Sequence, residues 1–370
     1  MNSKSGSNEN ATSSMKASGG FDAWLSNMPP AYFALVMATG ILAIACHLVN
    51  VPTAPRVLAS INIVAFAILW LLTLLRIARH SKAFLADFSS HQRGPGFFTT
   101  VAATSVVGTH LVILDQSFGA ARVLWGASFV MWLLLTYTIF TALTIKEEKP
   151  SLADGLNGGW LTAVVATQSL VALGCTAKID FGGNHEVVAL ALASLWLAGG
   201  MLYTWMIAMI FYRYTFLKFL PSDLSPPYWI NMGAMAISTL AGALLVKAAP
   251  TSSLLISLLP FLKGFTLFYW ATATWWIPML IILGAWRHVA KRVPFIYDPL
   301  YWGLVFPLGM YATATYRLAE ALEVPILVHV TTAFVAMALV AWSLTMFGLV
   351  STIARGLGKA SARRGVGGRT

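Results

Sequence analysis

The polar side chains within the most apolar segments of this chain are mainly hydroxyls and amides, whose chemistry is hydrogen bonding rather than proton transfer. The alternate segments that hold them contain no Asp, Glu, Lys or Arg before Lys247 and Arg317, which lie near segment ends. Cation pathways usually need rings of acidic side chains, and proton-driven carriers need buried carboxylates. Neutral hydroxyls and amides can instead donate hydrogen bonds to an anion. The candidates are Thr39, Thr104, Ser105, Thr109, Thr167, Gln168, Asn231, Ser238, Thr239, Thr313 and Thr315.

The direction of these segments favours the same chemistry. If they cross a membrane in parallel, their N-termini converge, and each helix N-terminus carries about half a positive charge and free N–H groups that bind anions. The alternative is that the hydroxyls only bond helices to one another, as Ser and Thr often do in membranes. Arg317 and Glu320 either pair with each other or leave Arg317 to attract anions at the outer mouth, and both interpretations stay open.

A repeat along the chain shows which elements position these side chains. A helix-breaking Pro or Gly followed by aromatic residues recurs five times, and the leading aromatics are 63–73 residues apart. A fixed period of this length indicates a repeated supersecondary unit. Each period holds two apolar stretches long enough to cross a membrane, so the unit is a helical hairpin. The leading aromatics are Tyr32, Phe97, Trp160, Tyr228 and Tyr301.

Composition places the chain in a membrane. It is 58% hydrophobic and 10% charged, with a mean hydropathy of +0.74, whereas soluble proteins carry about 25% charged residues. We predict an all-α integral membrane protein with ten transmembrane helices, arranged as five tandem hairpins in a quasi-fivefold ring, and with odd helices lining a central pore. The predicted spans are 29–49, 57–79, 97–114, 120–144, 159–177, 186–212, 228–248, 264–286, 300–319 and 326–354.

The net charge of +11 indicates topology and not a nucleic-acid partner. With the N-terminus in the cytoplasm, 18 of the 24 Lys and Arg residues fall on the cytoplasmic side, which is the positive-inside bias. We therefore expect a cell-membrane protein with both termini in the cytoplasm. Residues 1–28 and 355–370 are predicted to be disordered cytoplasmic tails around a transmembrane domain at 29–354.

The aromatic residues separate inner from outer helices. Ten of the 14 Trp residues fall in the even segments, whereas the odd segments carry Trp only in their first turns. Large aromatics suit positions that face lipid, and small residues suit close helix packing. The odd segments are therefore predicted to be inside the ring.

The ninth segment differs from the other odd segments because it carries Phe306 and then Pro307. If the odd helices line a pore, Phe306 is its plug, and Pro307 is expected to kink the helix there. The alternative is that the ring fills a packing gap. By our count, Phe306 lies level with Val36, Val101, Val164 and Gly233, and the other candidates for the pore wall are Thr39, Thr104, Thr167, Ser238 and Thr313.

Cysteine and histidine residues give no sign of a metal or cofactor. Cys46 and Cys175 are isolated in apolar segments and match neither a disulfide framework nor a metal motif. His47, His110 and His329 fall toward the outer half of their segments, but no two are spaced to share a helix face. We expect no catalytic residue, no metal and no cofactor.

Three stretches together resemble the tellurite-resistance and C4-dicarboxylate transporter family, which includes plant slow-type anion channels and yeast malate and sulfite transporters. They are P-P-A-Y-F-A-L-V-M-A-T-G-I-L from residue 29, W-A-T-A-T-W-W-I-P at 270–278 and V-F-P-L at 305–308. The resemblance covers about residues 25–355. It implies a homotrimer in which each protomer has five hairpins around its own pore, occluded by a Phe at the position of Phe306.

Three functions follow as hypotheses. The first is an anion channel for chloride, nitrate, sulfite, tellurite-type oxyanions or a C4-dicarboxylate such as malate. The second is a proton- or ion-coupled carrier for C4-dicarboxylates, which five parallel hairpins without buried carboxylates do not favour. The third is a membrane haem or metal enzyme that uses the His residues. The expected partners are small anions and the lipid bilayer.

Overall fold

The computed structural model describes the backbone of residues 20–366 and the side chains of residues 20–355. The described chain is all α, as predicted, and contains no β-strand. Ten long helices alternate between two sets. The inner helices are Ala34–Leu48, Phe98–Asp115, Thr162–Thr176, Ile230–Ala248 and Trp302–Leu322. The outer helices are Ala54–Phe88, Phe118–Ile145, His185–Phe216, Leu259–Ala285 and Leu327–Val366.

Burial confirms the division into inner and outer helices. In the apolar windows of the first four inner helices, 78–89% of the residues are buried, compared with 11–44% in the outer helices. Nine helices among the described residues are long and apolar enough to span a membrane. The fifth inner helix is not among the nine, although its 21 residues include mostly buried side chains.

The helices contact one another in a closed cycle. Each inner helix packs against the next, and the fifth packs against the first. Each outer helix packs against the inner helix of its own hairpin and also against the inner helix of the following hairpin. The fifth outer helix in this way contacts the first inner helix, so the cycle closes.

Indole N–H groups form hydrogen bonds across four of these contacts. Trp132 donates to the Thr167 hydroxyl at 2.8 Å, Trp270 to the Thr315 hydroxyl at 3.0 Å and Trp342 to the Thr39 hydroxyl at 2.9 Å. Trp196 donates to the backbone carbonyl of Ser238 at 2.9 Å. The first outer helix uses a different pair, in which the Asn62 amide lies 3.4 Å from His110 Nδ1.

Short 3-10 turns before the inner helices form a second closed cycle, at the amino end of the bundle. A Pro in the first turn is favourable because a helix does not use that N–H group. Thr99 donates its hydroxyl to the Pro30 carbonyl at 3.1 Å, and Thr162 donates to the Pro95 carbonyl at 2.6 Å. The turns are Pro30–Phe33, Gly94–Phe97, Gly158–Leu161, Pro226–Trp229 and Pro299–Tyr301.

The N-terminal tail prediction was wrong in its last part. Gly20–Asn27 forms a helix whose Leu25 is buried, and residues 1–19 lie outside the described residues. Arg76 holds this helix, because its guanidinium donates to the Ser26 carbonyl at 3.0 Å and pairs with Asp87 at 2.8 Å. A buried apolar residue with these backbone partners is enough to dock a segment that is polar in composition.

Two other helices differ from prediction. The first outer helix continues to Phe88, past non-helical backbone at His80, so the predicted span ends where the helix is interrupted. The fifth inner helix continues through Pro307, and the kink expected there stays a prediction. The last helix continues to Val366, so the predicted C-terminal tail begins as a helix, and residues 367–370 lie outside the described residues.

Gly158 allows the amino-end turns to approach closely. A Cβ atom there would lie 2.4 Å from the Pro227 carbonyl oxygen and 2.6 Å from Tyr228 Cα. We expect Gly158→Ala to destabilise the protein by about 1–3 kcal/mol, as overpacking does, and to lower the unfolding temperature of the detergent-solubilised protein. Gly126→Ala is the control, because a Cβ there meets nothing within 4 Å. Equal unfolding temperatures for the two variants would contradict this packing.

Candidate functional site

A cavity of about 800 Å3 opens at the carboxyl ends of the inner helices. We call this cavity the vestibule. All five inner helices contribute to its wall, so it includes the axis of the helix cycle. Residues near the amino ends of the second and third outer helices also line it, so the cavity extends from the axis toward the outer layer. Each contributes a residue at the same repeat position, 12 residues after its leading aromatic. These residues are Ile44, Thr109, Ala172, Leu240 and Thr313.

Below the vestibule, the same helix faces lead to Phe306. Seven residues make nearly two helical turns, so a residue seven positions earlier lies on the same face and roughly 10 Å deeper. This places Phe306 beneath Thr313 on the axial face. The corresponding residues of the other inner helices are Met37, Ala102, Val165 and Gly233.

This register places the level of Phe306 one residue later than the prediction in three of the helices, at Met37, Ala102 and Val165 and not at Val36, Val101 and Val164. One residue corresponds to a rotation of about 100°. The difference arises because the leading aromatic is the first of two aromatic residues in some repeats and the second in others. Both registers place Gly233 at this level, and the residues that face the axis there stay a prediction.

Two glycine contacts fix the rotation of the fifth inner helix. A Cβ on Gly233 would lie 2.7 Å from Pro307 Cγ, and one on Gly309 would lie 3.1 Å from Ile41 Cγ2. Pro307 thus faces the fourth inner helix and Gly309 faces the first. Phe306, which is 1% exposed, lies on the sector between these two contacts, on the same face as Thr313 and Arg317.

Most of the predicted hydroxyls are engaged away from the axis. Thr39 and Thr167 accept hydrogen bonds from Trp342 and Trp132 of the outer layer. Thr104 occupies the repeat position of Thr39 and Thr167 and donates to the Thr100 carbonyl at 2.8 Å. Thr39 and Thr167 are therefore corrected to the interface between the layers, whereas the place of Thr104 in the pore wall stays a prediction.

Three further hydroxyls of the inner helices have different surroundings, those of Ser238, Thr313 and Ser105. Ser238 donates to the Ala234 carbonyl at 2.8 Å, and its own carbonyl faces Trp196 of the outer layer. Thr313 lines the vestibule. Ser105, four residues before Thr109 and on the same face, has a buried hydroxyl with no hydrogen-bond partner among the described residues. Ser105 is therefore the free hydroxyl closest to the level of Phe306 on the second inner helix.

The vestibule carries four cations, of which the sequences of the inner helices indicated only Lys247 and Arg317. Arg122, Lys178, Lys247 and Arg317 line it, together with one carboxylate, Asp180. Arg317 lines the cavity and also pairs with Glu320 at 2.7 Å. The expected ion pair is therefore present, and attraction of anions by Arg317 stays a prediction. Arg122 lies in the second turn of the second outer helix, and Lys178 lies in the turn after the third inner helix. The pattern of the inner helices therefore does not indicate what these two residues face.

A second cavity, of about 500 Å3, lies off the axis at the amino end, between the loops that follow the first two outer helices. Burial, followed by the charges of Lys146 and Lys149, lowers the pKa of His91 there. None of the inner helices lines this cavity. Among the described residues, no three His, Cys, Asp or Glu side chains lie close enough to hold a metal ion.

Comparisons with known proteins agree with this architecture. A family model described as SLAC1, voltage-dependent anion channel, matches residues 27–350. Two uncharacterized transporters of Methanocaldococcus jannaschii are 27% and 26% identical, over 79% and 87% of this chain and 85% and 92% of their own lengths. An uncharacterized membrane protein of Mycobacterium tuberculosis is 37% identical over 38% of this chain and 70% of its own.

The register of the axial faces can be tested by thiol labelling. In a Phe306→Ala protein without its native cysteines, Met37→Cys and Val165→Cys should react faster than Val36→Cys and Val164→Cys with a negatively charged methanethiosulfonate. The reason is that a reagent in the axis reaches only side chains that face it. The labelled fraction is measured by mass spectrometry over time, and faster reaction at 36 and 164 would restore the register first predicted.

Proposed function

This chain belongs to the voltage-dependent anion channel family, and we propose that it passes small anions along the axis of its five inner helices, past a gate formed by Phe306. The observation that carries the proposal is the stacking of a cation-lined vestibule above Phe306 on one face of the fifth inner helix. A positively charged entrance attracts anions, and an aromatic constriction below it can block their passage until the ring moves.

The constriction itself is apolar. Met37, Ala102, Val165 and Gly233 share the level of Phe306, and none carries a charge or a hydroxyl. Hydrophobic constrictions gate by excluding water. An anion at this level loses its hydration on one side unless the ring moves, so displacement of the Phe306 side chain is the opening step of the proposed mechanism.

The proposal includes the direction of the chain in the membrane. With the amino ends of the inner helices in the cytoplasm, 18 of the 24 Lys and Arg residues are cytoplasmic, as the positive-inside rule requires. The vestibule then faces outward.

The outer helices expose large apolar side chains, which suits contact with lipid and with further copies of the chain. A homotrimer in the cell membrane remains a prediction.

The proposed permeants are chloride, nitrate, sulfite, tellurite-type oxyanions and C4-dicarboxylates such as malate. Neutral axial walls do not favour one of these by a specific charge pair. Discrimination among these anions would follow their size and hydration, and the current measured with each anion gives their order of permeability.

Removal of the Phe306 ring tests the gate. Displacing a buried Phe side chain costs about 1.5–3 kcal/mol, and each 1.4 kcal/mol or so is a factor of ten in rate. We therefore expect Phe306→Ala to raise anion current in planar bilayers roughly ten- to a hundredfold. The current is measured with chloride, nitrate, sulfite and malate in turn.

Phe33→Ala is the matched control. Phe33 is as buried as Phe306, but its ring packs against Phe66 and Trp70 of the first outer helix. The control loses the same ring and should not gain current. Unchanged current in a folded Phe306→Ala protein would overturn the gate, and saturable, pH-coupled malate uptake by a silent wild type would favour a carrier instead.

A further inference from the structure

The charges around the vestibule are not balanced by neighbouring carboxylates. Of the four cations that line it, only Arg317 forms an ion pair among the described residues, with Glu320. Within the described part of the chain, no carboxylate oxygen lies within 4.0 Å of Arg122, Lys178 or Lys247. Asp180 is the only carboxylate in the described wall of the vestibule. The cavity therefore contains an excess of positive charge.

Neutral groups hold two of these cations at the wall. Arg122 Nε donates to the Ala177 carbonyl at 3.2 Å, and Lys178 Nζ lies 5.7 Å from the centre of the Phe118 ring, which also lines the cavity. Contacts of this kind orient a cation without cancelling its charge. Both side chains therefore remain available to a ligand inside the cavity.

The backbone at Lys178 helps to position its side chain. Its φ angle is +50°, the left-handed conformation that often follows a helix end. Asn50, Gln116 and Glu323 adopt the same conformation after other inner helices. At the end of the third inner helix this turn carries Lys178 to the wall of the axial cavity.

Side-chain charge is needed at this end of the bundle. All five inner helices present their carboxyl ends here, and these carry partial negative charge. The amino ends of the outer helices lie at the same end but farther from the axis. The backbone alone therefore makes the vestibule less favourable for an anion than the opposite mouth, and the cations act against this effect.

We propose that the vestibule is a binding site for small anions, centred on Lys178, Lys247 and Arg122, that concentrates them above the constriction and holds doubly charged anions more tightly than singly charged ones. The charge preference follows because Coulomb energy scales with the charge of the ligand, and low-dielectric walls focus the field of the cations. Binding requires no conduction. The inference therefore rests on the proposed function only for the later movement of the bound anion along the axis.

Protection of the lysines from acetylation tests binding directly. Wild-type protein in nanodiscs is treated with a membrane-impermeant acetylating reagent in gluconate, chloride or sulfate at equal ionic strength, and each lysine is followed by mass spectrometry. We expect sulfate to slow acetylation of Lys178 and Lys247 about threefold or more, and at lower concentration than chloride. Lys263, at the same end but outside the cavity, is the internal control.

Equal rates in all three salts, or equal protection of Lys263, would overturn the binding site. Protection by chloride and sulfate at the same concentration would overturn the charge preference. The experiment needs no open pore, so its result stands even if the Phe306→Ala protein proves silent. A silent Phe306→Ala protein would count against the proposed function alone.

Current through the Phe306→Ala protein gives an independent test of the vestibule lysines. With anion added on the vestibule side, Lys178→Gln/Lys247→Gln should lower current several-fold at 0.1 M salt, where the Debye length is about 10 Å, and hardly at 1 M, where it is about 3 Å. Lys263→Gln should leave the current unchanged. A double variant with the same current and the same salt dependence as its parent would contradict a role for these lysines in anion entry.

Discussion

The rest of the structure depends on the way each outer helix lies between two inner helices. A hairpin by itself would leave its inner helix free to rotate and to slide. The second contact, to the inner helix of the next hairpin, removes that freedom because it ties each unit to its neighbour. Single interhelical hydrogen bonds in membranes average only about 0.6 kcal/mol. The cycle owes its rigidity to closure: Trp342 of the last outer helix bonds to Thr39 of the first inner helix, so no unit is left at an end.

Closure matters for function because it fixes which face of each inner helix meets the axis. Residues at one repeat position line the vestibule in all five helices, although the sequences of the helices differ. Within this regular frame the fifth inner helix is the exception. Gly233 and Gly309 let it pack closely on both neighbours, and Phe306 lies between those contacts. The direction of the Phe306 ring is therefore determined by the close contacts at Gly233 and Gly309, and not by Pro307 alone.

The sequence was sufficient to predict the hairpins and the two layers, but it was insufficient to predict how each inner helix is rotated about its own axis. Apolar length, repeated aromatic starts and Trp placement gave the hairpins and the two layers, because each signal is summed over many residues. Single residues were harder. Thr39 and Thr167 look like wall residues in an apolar helix, but a hydroxyl serves equally well as an acceptor for an outer-layer indole. Arg122 and Lys178 lie 56 residues apart in the chain and share the cavity because the second outer helix packs against the third inner helix.

The separation of charge from constriction has a consequence for selectivity. Lys178 and Lys247 lie at the vestibule, whereas the level of Phe306 holds only apolar side chains. In the proposed mechanism, the energy barrier at the constriction depends on ring displacement and dehydration, which act on ions of either sign. The sign of the permeant would then be selected at the vestibule, where positive charge raises the local concentration of anions and lowers that of cations. Opening the constriction should therefore change how much passes and leave anion preference in place, because the groups that establish this preference lie roughly two helical turns away.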